Sequence, residues 1–172
     1  MKAILVIAGL IVALMLQTTL GGLSLLAGTR VNFVLIAVVF ISLTLGPVPG
    51  LLAGMVGGIA QDAVGGGIIG VGGISKTVIG FMAGVFGAQF IVSQPVPRFI
   101  MFVAATVVHE LCFQALYAVA EAYGFRFHYR EVLTQAAVNG VVGIAAFWLV
   151  EKGPGMMQRR DARRTSFDRR RF

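Results

Sequence analysis

The chain has 172 residues, a formal net charge of +7 and a mean hydropathy of +0.90. Hydrophobic residues make up 58% of it and charged residues 12%, whereas a typical soluble domain has about 45–50% and about 25%. This composition excludes a soluble enzyme, a disulfide-stapled secreted domain and a disordered chain, and it predicts an integral membrane protein.

Six apolar segments, separated by glycine, proline or charged residues, are candidates for membrane-spanning helices of about 20 residues each. The first segment has a rival interpretation as a secretory signal peptide, because Lys2 precedes an apolar run. The third segment is short and rich in glycine, so it is the least secure of the six. In chain order, the segments cover residues 3–20, 31–45, 49–64, 70–92, 98–123 and 132–150.

The predicted architecture is therefore all-α: a six-helix transmembrane domain at residues 1–152, followed by a basic tail at 153–172. If both termini are cytoplasmic, ten basic residues lie inside and three outside, as the positive-inside rule requires. The tail is expected to be poorly ordered, and it serves either as a topology signal alone or as a contact for anionic lipids. The arginines of that contact are Arg159, Arg160, Arg163, Arg164, Arg169, Arg170 and Arg171.

Glycines recur at helical spacing on the third and fourth segments. In lipid, helices associate through close backbone packing of small residues, because the surrounding hydrocarbon is as apolar as leucine. Packing within the chain is the first expectation for these glycines, and a cavity border or a surface for a partner helix is the alternative. The glycines proposed for the partner surface are Gly50, Gly54, Gly57, Gly80 and Gly84.

Asp62 and Lys76 lie at similar distances from the centre of the turn between the third and fourth segments. In an antiparallel helix pair they would share one depth, about 10 Å from the turn. An intramembrane ion pair is the hypothesis that lets both remain charged. Its role is either a structural clamp on the hairpin or a part in gating or partner recognition.

Polar side chains also follow one face of the fifth segment, where Glu110, Gln114, Tyr117 and Glu121 are spaced by four, three and four residues. On the sixth segment, Gln135 and Asn139 share a face. These stripes predict hydrogen bonds between helices, with a cavity or a groove for a partner as the alternative.

Three strings resemble enzyme motifs without completing them, and one of them is Gly73-Ile74-Ser75-Lys76, where Lys76 replaces the final glycine of an intramembrane serine protease motif. His109-Glu110 begins like a zinc-protease helix, but the second ligand position four residues after His109 is Phe113. The string GVGGISKT at residues 70–77 resembles a phosphate loop but lacks its last glycine and a soluble nucleotide domain. Lone His109 is expected to be a hydrogen-bonded helix residue. We therefore expect no catalytic site, no metal and no cofactor.

Taken together, these features resemble the MreD family of bacterial rod-shape proteins over residues 30–152. The long arginine tail is not a requirement of that family, and Val31 stands where the family often has proline. The resemblance is carried by Arg30-Val31-Asn32-Phe33, Gly46-Pro47, a glycine-rich third span ending in Asp62, Lys76-Thr77-Val78-Ile79-Gly80-Phe81 and Asn139-Gly140-Val141.

The resemblance implies a scaffold of the cell-elongation machinery in the bacterial cytoplasmic membrane, with a fold similar to the substrate-binding subunits of energy-coupling-factor transporters. It implies binding to MreC and, through MreC, to RodA with its class B penicillin-binding protein and to MreB filaments. Membrane lipids are expected contacts, and nucleic acid is not. Either the glycine-lined face or the groove at Glu110, Gln114 and Tyr117 would receive MreC. A vitamin-uptake subunit with the same fold is the alternative.

Overall fold

The computed structural model describes residues 2–20, 31–89, 94–121 and 129–152. The lipid contacts predicted for the arginines of the tail lie outside these residues. The described residues form six α-helices, so the six predicted helical segments are confirmed with shifts of a few residues at their ends. The helices are α1 (Lys2–Leu20), α2 (Phe33–Leu45), α3 (Pro47–Gly65), α4 (Val71–Gln89), α5 (Pro95–Glu121) and α6 (Tyr129–Lys152).

Four of the helices, α1, α4, α5 and α6, are long and apolar enough to cross a membrane. The helix α2 has 13 residues, a length of about 20 Å against a hydrocarbon thickness of about 30 Å. The glycine-rich α3 has 19 residues but does not reach the same apolarity. Length and composition therefore support four membrane-spanning helices directly. They do not establish that α2 and α3 cross the membrane, and α3 corresponds to the segment predicted to be the least secure of the six.

The short helix α2 lies at the centre of the bundle and contacts all five other helices. One of its faces, which includes Leu35 and Val39, packs with side chains of α4, α5 and α6. The opposite face, which includes Val34 and Val38, packs with α1 and α3. Because both faces are buried, α2 holds the hairpins α3–α4 and α5–α6 in one core.

A single residue, Gly46, connects α2 to α3. Its φ of +101° lies in the left-handed region, which glycine adopts without steric cost. Its backbone N–H donates to the carbonyl of Ser42 at 2.9 Å, which closes α2, and Pro47 then starts α3. Proline suits the first turn of a helix because its missing N–H would have no partner there. Along the contact, Gly50 of α3 faces Ser42 of α2 and Gly57 faces Val34, so the two helices are antiparallel neighbours.

Candidate functional site

The hairpin α3–α4 is packed backbone against backbone through its glycines. A Cβ atom built on Gly54 would overlap the backbone carbonyl of Lys76, and one on Gly80 would overlap the backbone of Gly50. A Cβ on Gly84 would overlap the backbone of Pro47 at the start of α3. Only glycine permits this approach, and all of these glycines are buried.

This packing decides between the two interpretations of the glycine-lined face. Gly50, Gly54, Gly80 and Gly84 are covered within the chain by the facing helix. Gly57 faces the side chains of Leu10 on α1 and Val34 on α2 instead, so it too is enclosed. A partner helix would reach Gly50, Gly54, Gly80 and Gly84 only after α3 and α4 had separated, and it would reach Gly57 only after α1 or α2 had moved away. The structure therefore favours internal packing for these glycines. Of the two proposed partner surfaces, the groove on α5 is the one that remains accessible.

Asp62, near the end of α3, caps the first turn of α4. One oxygen of its buried carboxylate accepts hydrogen bonds from the backbone N–H groups of Gly70 at 2.9 Å, Gly72 at 2.9 Å and Gly73 at 3.2 Å. A carboxylate at this position satisfies donors that have no partner within the helix and interacts favourably with the positive end of the helix dipole. Asp62 thus fixes the turn between α3 and α4.

The string at residues 70–77 that resembles a phosphate loop does bind an anion through its backbone. The anion is the chain's own carboxylate, because Asp62 occupies the N–H groups of Gly70, Gly72 and Gly73. A Cβ atom on Gly72 would overlap Oδ1 of Asp62, so glycine is required where the carboxylate approaches the helix. In both a nucleotide-binding loop and this segment, backbone N–H groups at the start of a helix bind an anion, and here the anion belongs to the protein itself.

Lys76 on α4 is 1% exposed and is attracted by two carboxylates, those of Asp62 and Glu110. No salt bridge within 4.0 Å joins Lys76 to Asp62 in the described part of the chain. Asp62 and Lys76 therefore do not form the predicted direct ion pair and attract each other over a longer distance. One carboxylate oxygen of Asp62 accepts hydrogen bonds from the backbone of α4 instead. Lys76 interacts electrostatically with two acidic groups, one from its own hairpin and one from α5.

A buried hydrogen-bond network, which we call the Asn32 network, joins α2 to α5 and α6. The backbone N–H of Asn32 donates to Oδ1 of Asn139 at 3.1 Å, and Nδ2 of Asn139 donates to the hydroxyl of Thr106 at 3.3 Å. Oδ1 of Asn32 accepts from the N–H of Leu35 at 3.0 Å and so caps α2. Interhelical bonds of this kind add specificity where apolar packing alone has little direction.

His109 belongs to the same network. Nδ2 of Asn32 lies 3.4 Å from Nε2 of His109, and because an amide nitrogen only donates, Nε2 is the acceptor. The ring is then neutral, with its proton on Nδ1. His109 is 2% exposed, which confirms the expectation of a hydrogen-bonded helix residue. Among the described residues, Nδ1 has no hydrogen-bond partner.

The polar stripe on α5 lies beside this network at the contact with α6. Glu110, Gln114 and Tyr117 are each half-buried, and the side chains of Gln114 and of Gln135 on α6 interact electrostatically with Glu110. Hydrogen bonding between the two stripes stays a prediction. The ring of Tyr117 packs on that of Phe113, with centroids 5.5 Å apart. Partial exposure leaves this face, the α5 polar surface, open to a partner.

At the opposite end of the bundle, Arg98 and Glu151 tie the start of α5 to the end of α6. Their side chains form a salt bridge of 2.7 Å, and the guanidinium of Arg98 lies over the ring of Phe147 at 4.4 Å. Sequence reasoning counted Arg98 only as a topology signal. The sequence feature that could have indicated this salt bridge is the position of Arg98 in the first turn of α5 and of Glu151 in the last turn of α6, its antiparallel neighbour.

Sequence reasoning also missed Asn32 and Thr106 as site residues. The position of Asn32 directly before an apolar run is the usual signature of a helix N-cap and would have identified that part of its role. Its partners Asn139 and His109 lie 107 and 77 residues away along the chain, so no local pattern links them. In the part of the chain that the structure describes, no three His, Cys, Asp or Glu residues come together as metal ligands do.

Comparison with known proteins agrees with the architecture. The family model described as rod shape-determining protein MreD matches residues 1–152, which include all six helices. No curated protein and no solved structure matches the chain. A match that covers the whole helical domain, together with helices able to cross a membrane, shows that the chain belongs to the family of the rod shape-determining protein MreD.

Proposed function

We propose that this rod shape-determining membrane protein is a non-catalytic scaffold that binds MreC and thereby helps to regulate peptidoglycan synthesis and cell shape. The observation that carries the proposal is the family match over residues 1–152. The buried polar groups support it, because Asp62 and the Asn32 network use their hydrogen bonds to hold helices together. These polar groups thus have a structural role.

The α5 polar surface is the place where we expect MreC to bind. Glu110 is an ionisable group at membrane depth that is only half-buried, although such groups are usually enclosed in the bundle. A partner helix that packs on Gln114 and Tyr117 would shield Glu110 from lipid and lower the cost of its exposure. The glycines of α3 and α4 offer no comparable surface, because the facing helix covers them.

The wider assembly follows from the same proposal. Through MreC, the scaffold would meet RodA with its class B penicillin-binding protein, and the cytoplasmic MreB filaments. Both termini would be cytoplasmic, as the excess of basic residues at 151–172 favours. The similarity in fold to the substrate-binding subunits of energy-coupling-factor transporters stays a prediction. The family match gives no support to the vitamin-uptake alternative.

Co-purification in mild detergent with MreC of the same organism tests the proposal. The double variant Gln114→Leu/Tyr117→Ala should recover about 3- to 20-fold less MreC, which corresponds to the loss of one interhelical hydrogen bond of about 0.6–1.7 kcal/mol. Val119→Ala is the matched control, because Val119 is 84% exposed and points away from Tyr117 on the same helix. Size-exclusion profiles of each variant alone check that the bundle remains folded.

Two results would contradict the proposal at different levels. Equal recovery of MreC with the double variant and with Val119→Ala would remove the α5 polar surface as the binding site. Absence of any stoichiometric complex with the unaltered chain would remove the scaffold function itself.

A further inference from the structure

A layer of buried polar side chains crosses the bundle at the level where α2 begins. Lys76, His109 and Asn139 each lie about 20 Å from the end of their helix, measured on the side where α2 turns into α3. Asn32 lies at the same level, because the 13 residues of α2 also extend about 20 Å. These four side chains are 0–7% exposed, so their donors and acceptors depend on partners inside the protein.

Two hydrogen-bond donors in this layer have no partner among the described residues. One is the proton on Nδ1 of His109. The other is the ammonium of Lys76, whose N–H bonds take part in no hydrogen bond or salt bridge in the described part of the chain. Lys76 also lies within electrostatic range of His109. Because a buried donor without an acceptor is strongly unfavourable, both donors require an acceptor at this level.

Two acceptors on α5 complement these donors. The half-buried carboxylate of Glu110 attracts Lys76, although the two form no salt bridge within 4.0 Å in the part of the chain that the structure describes. Oε1 of Gln114 is buried and has no partner among the described residues. Gln114 follows Glu110 by one helical turn, and its side chain interacts electrostatically with that carboxylate. Lys76 and Glu110 thus attract each other beyond direct contact.

We propose that an ordered water molecule bridges Lys76 to Glu110 inside the helical domain. Buried waters in proteins make about three hydrogen bonds, and they bind polar groups that otherwise lack partners. This water accepts hydrogen bonds from the Lys76 ammonium and from Nδ1 of His109. It donates to the Glu110 carboxylate and to Oε1 of Gln114. Two donors and two acceptors match the hydrogen bonds that one water molecule can make.

The bridge gives the two hairpins a polar link. Lys76 belongs to the hairpin α3–α4, whereas the other three groups belong to α5. A bridge through water lets Lys76 and Glu110 both remain charged while the Asp62 oxygen stays on the backbone of α4. The bridge does not involve MreC, so the full chain alone in phospholipid bilayers is the sample that tests it.

Solid-state NMR measures the length of the bridge. With ¹⁵N-lysine and ¹³C-glutamate in the chain, dipolar recoupling gives the distance between Nζ of Lys76 and Cδ of Glu110. We expect about 5 Å, because two successive hydrogen bonds of about 2.8 Å separate the charged groups. The variants Lys76→Met and Glu110→Gln assign the two signals by removing them.

The rate of polarisation transfer from water protons to Nζ of Lys76 measures contact with water. It should be about five-fold faster, or more, than transfer to the backbone N–H of Val39, which is 0% exposed on α2. Gln114→Leu removes one acceptor of the water and should slow the transfer about two-fold or more. Val119→Ala is the matched control on the same helix, because Val119 is 84% exposed.

The outcomes separate a water bridge from the other arrangements. A distance of about 5 Å together with fast transfer would support the bridge. A distance below about 4 Å would overturn it in favour of a direct ion pair. Transfer no faster than that to Val39 would overturn it in favour of a dry gap. Equal transfer rates in Gln114→Leu and Val119→Ala would overturn the assigned set of partners, and the distance measurement does not depend on either variant.

Discussion

The two hairpins α3–α4 and α5–α6 are held together by different physical means. Between α3 and α4, glycines bring backbone against backbone, and a Cβ atom would overlap main-chain atoms that have no freedom to move. Between α5 and α6, glycines face aromatic side chains, such as Gly140 against Phe99. One hairpin is thus a rigid unit closed to partners, and the other is an adjustable contact with polar groups at its border.

The largest effect should come from Gly54→Ala. Its new methyl group would meet the backbone of Lys76, so α3 and α4 would have to separate, and we expect a loss of stability of about 3 kcal/mol or more. Gly140→Ala is the matched change on α6. There the ring of Phe99 has to shift, and the better helix propensity of alanine offsets most of that cost, leaving a change within about 1 kcal/mol.

Thermal unfolding of both variants in detergent, followed by loss of the monodisperse species, measures this difference. Equal destabilisation by Gly54→Ala and Gly140→Ala would show that the two hairpins do not differ in the way described.

A smaller effect is expected from Asp62→Ala, which removes the cap of α4. Three backbone donors, those of Gly70, Gly72 and Gly73, would lose their acceptor, at a cost of about 2–3 kcal/mol. The neighbouring change Gln61→Leu is the control. Oε1 of Gln61 is a buried acceptor without a partner among the described residues, so its removal should be neutral or stabilising.

Hydrogen exchange at the backbone amides of residues 70–73 gives a direct readout of the cap. Exchange there should accelerate in Asp62→Ala and stay unchanged in Gln61→Leu. Protection that persists without Asp62 would mean that another group caps α4.

The smallest effect should come from Asn139→Leu, which cuts the Asn32 network. We expect a loss of about 1 kcal/mol, because interhelical hydrogen bonds in membranes contribute modestly and the N–H of Asn32 is left without its acceptor. A double-mutant cycle with Thr106→Val measures the coupling. Additive effects of the two changes would show that the bond between Asn139 and Thr106 contributes nothing measurable.

Sequence reasoning located the helices because apolar runs and glycine or proline boundaries are local signals. The predicted start of α2 at residue 31 was wrong by two positions, since Asn32 lies outside the helix and caps it. The predicted third segment began two residues late, because Pro47 is compatible with the first turn of α3.

The polar site was less accessible to such reasoning. The sequence placed Asp62 and Lys76 on facing helices, but it did not show that the N–H groups of three glycines compete with Lys76 for the carboxylate. The glycine spacing likewise indicated close packing without revealing which surface it would use. The partner of the Asp62 carboxylate and the surface that the glycines contact both depend on the distance between two helix backbones. The spacing of residues in the sequence does not determine that distance.

The hydrogen bond between Asn32 and Asn139 can form only late in the synthesis of the chain. The two residues are 107 positions apart, so at about 5–20 residues per second the ribosome adds Asn139 about 5–20 s after Asn32. During that interval the backbone N–H of Asn32 lacks its native acceptor. The central helix of the bundle is therefore synthesised early, yet it reaches its native pairing only when the last helix arrives.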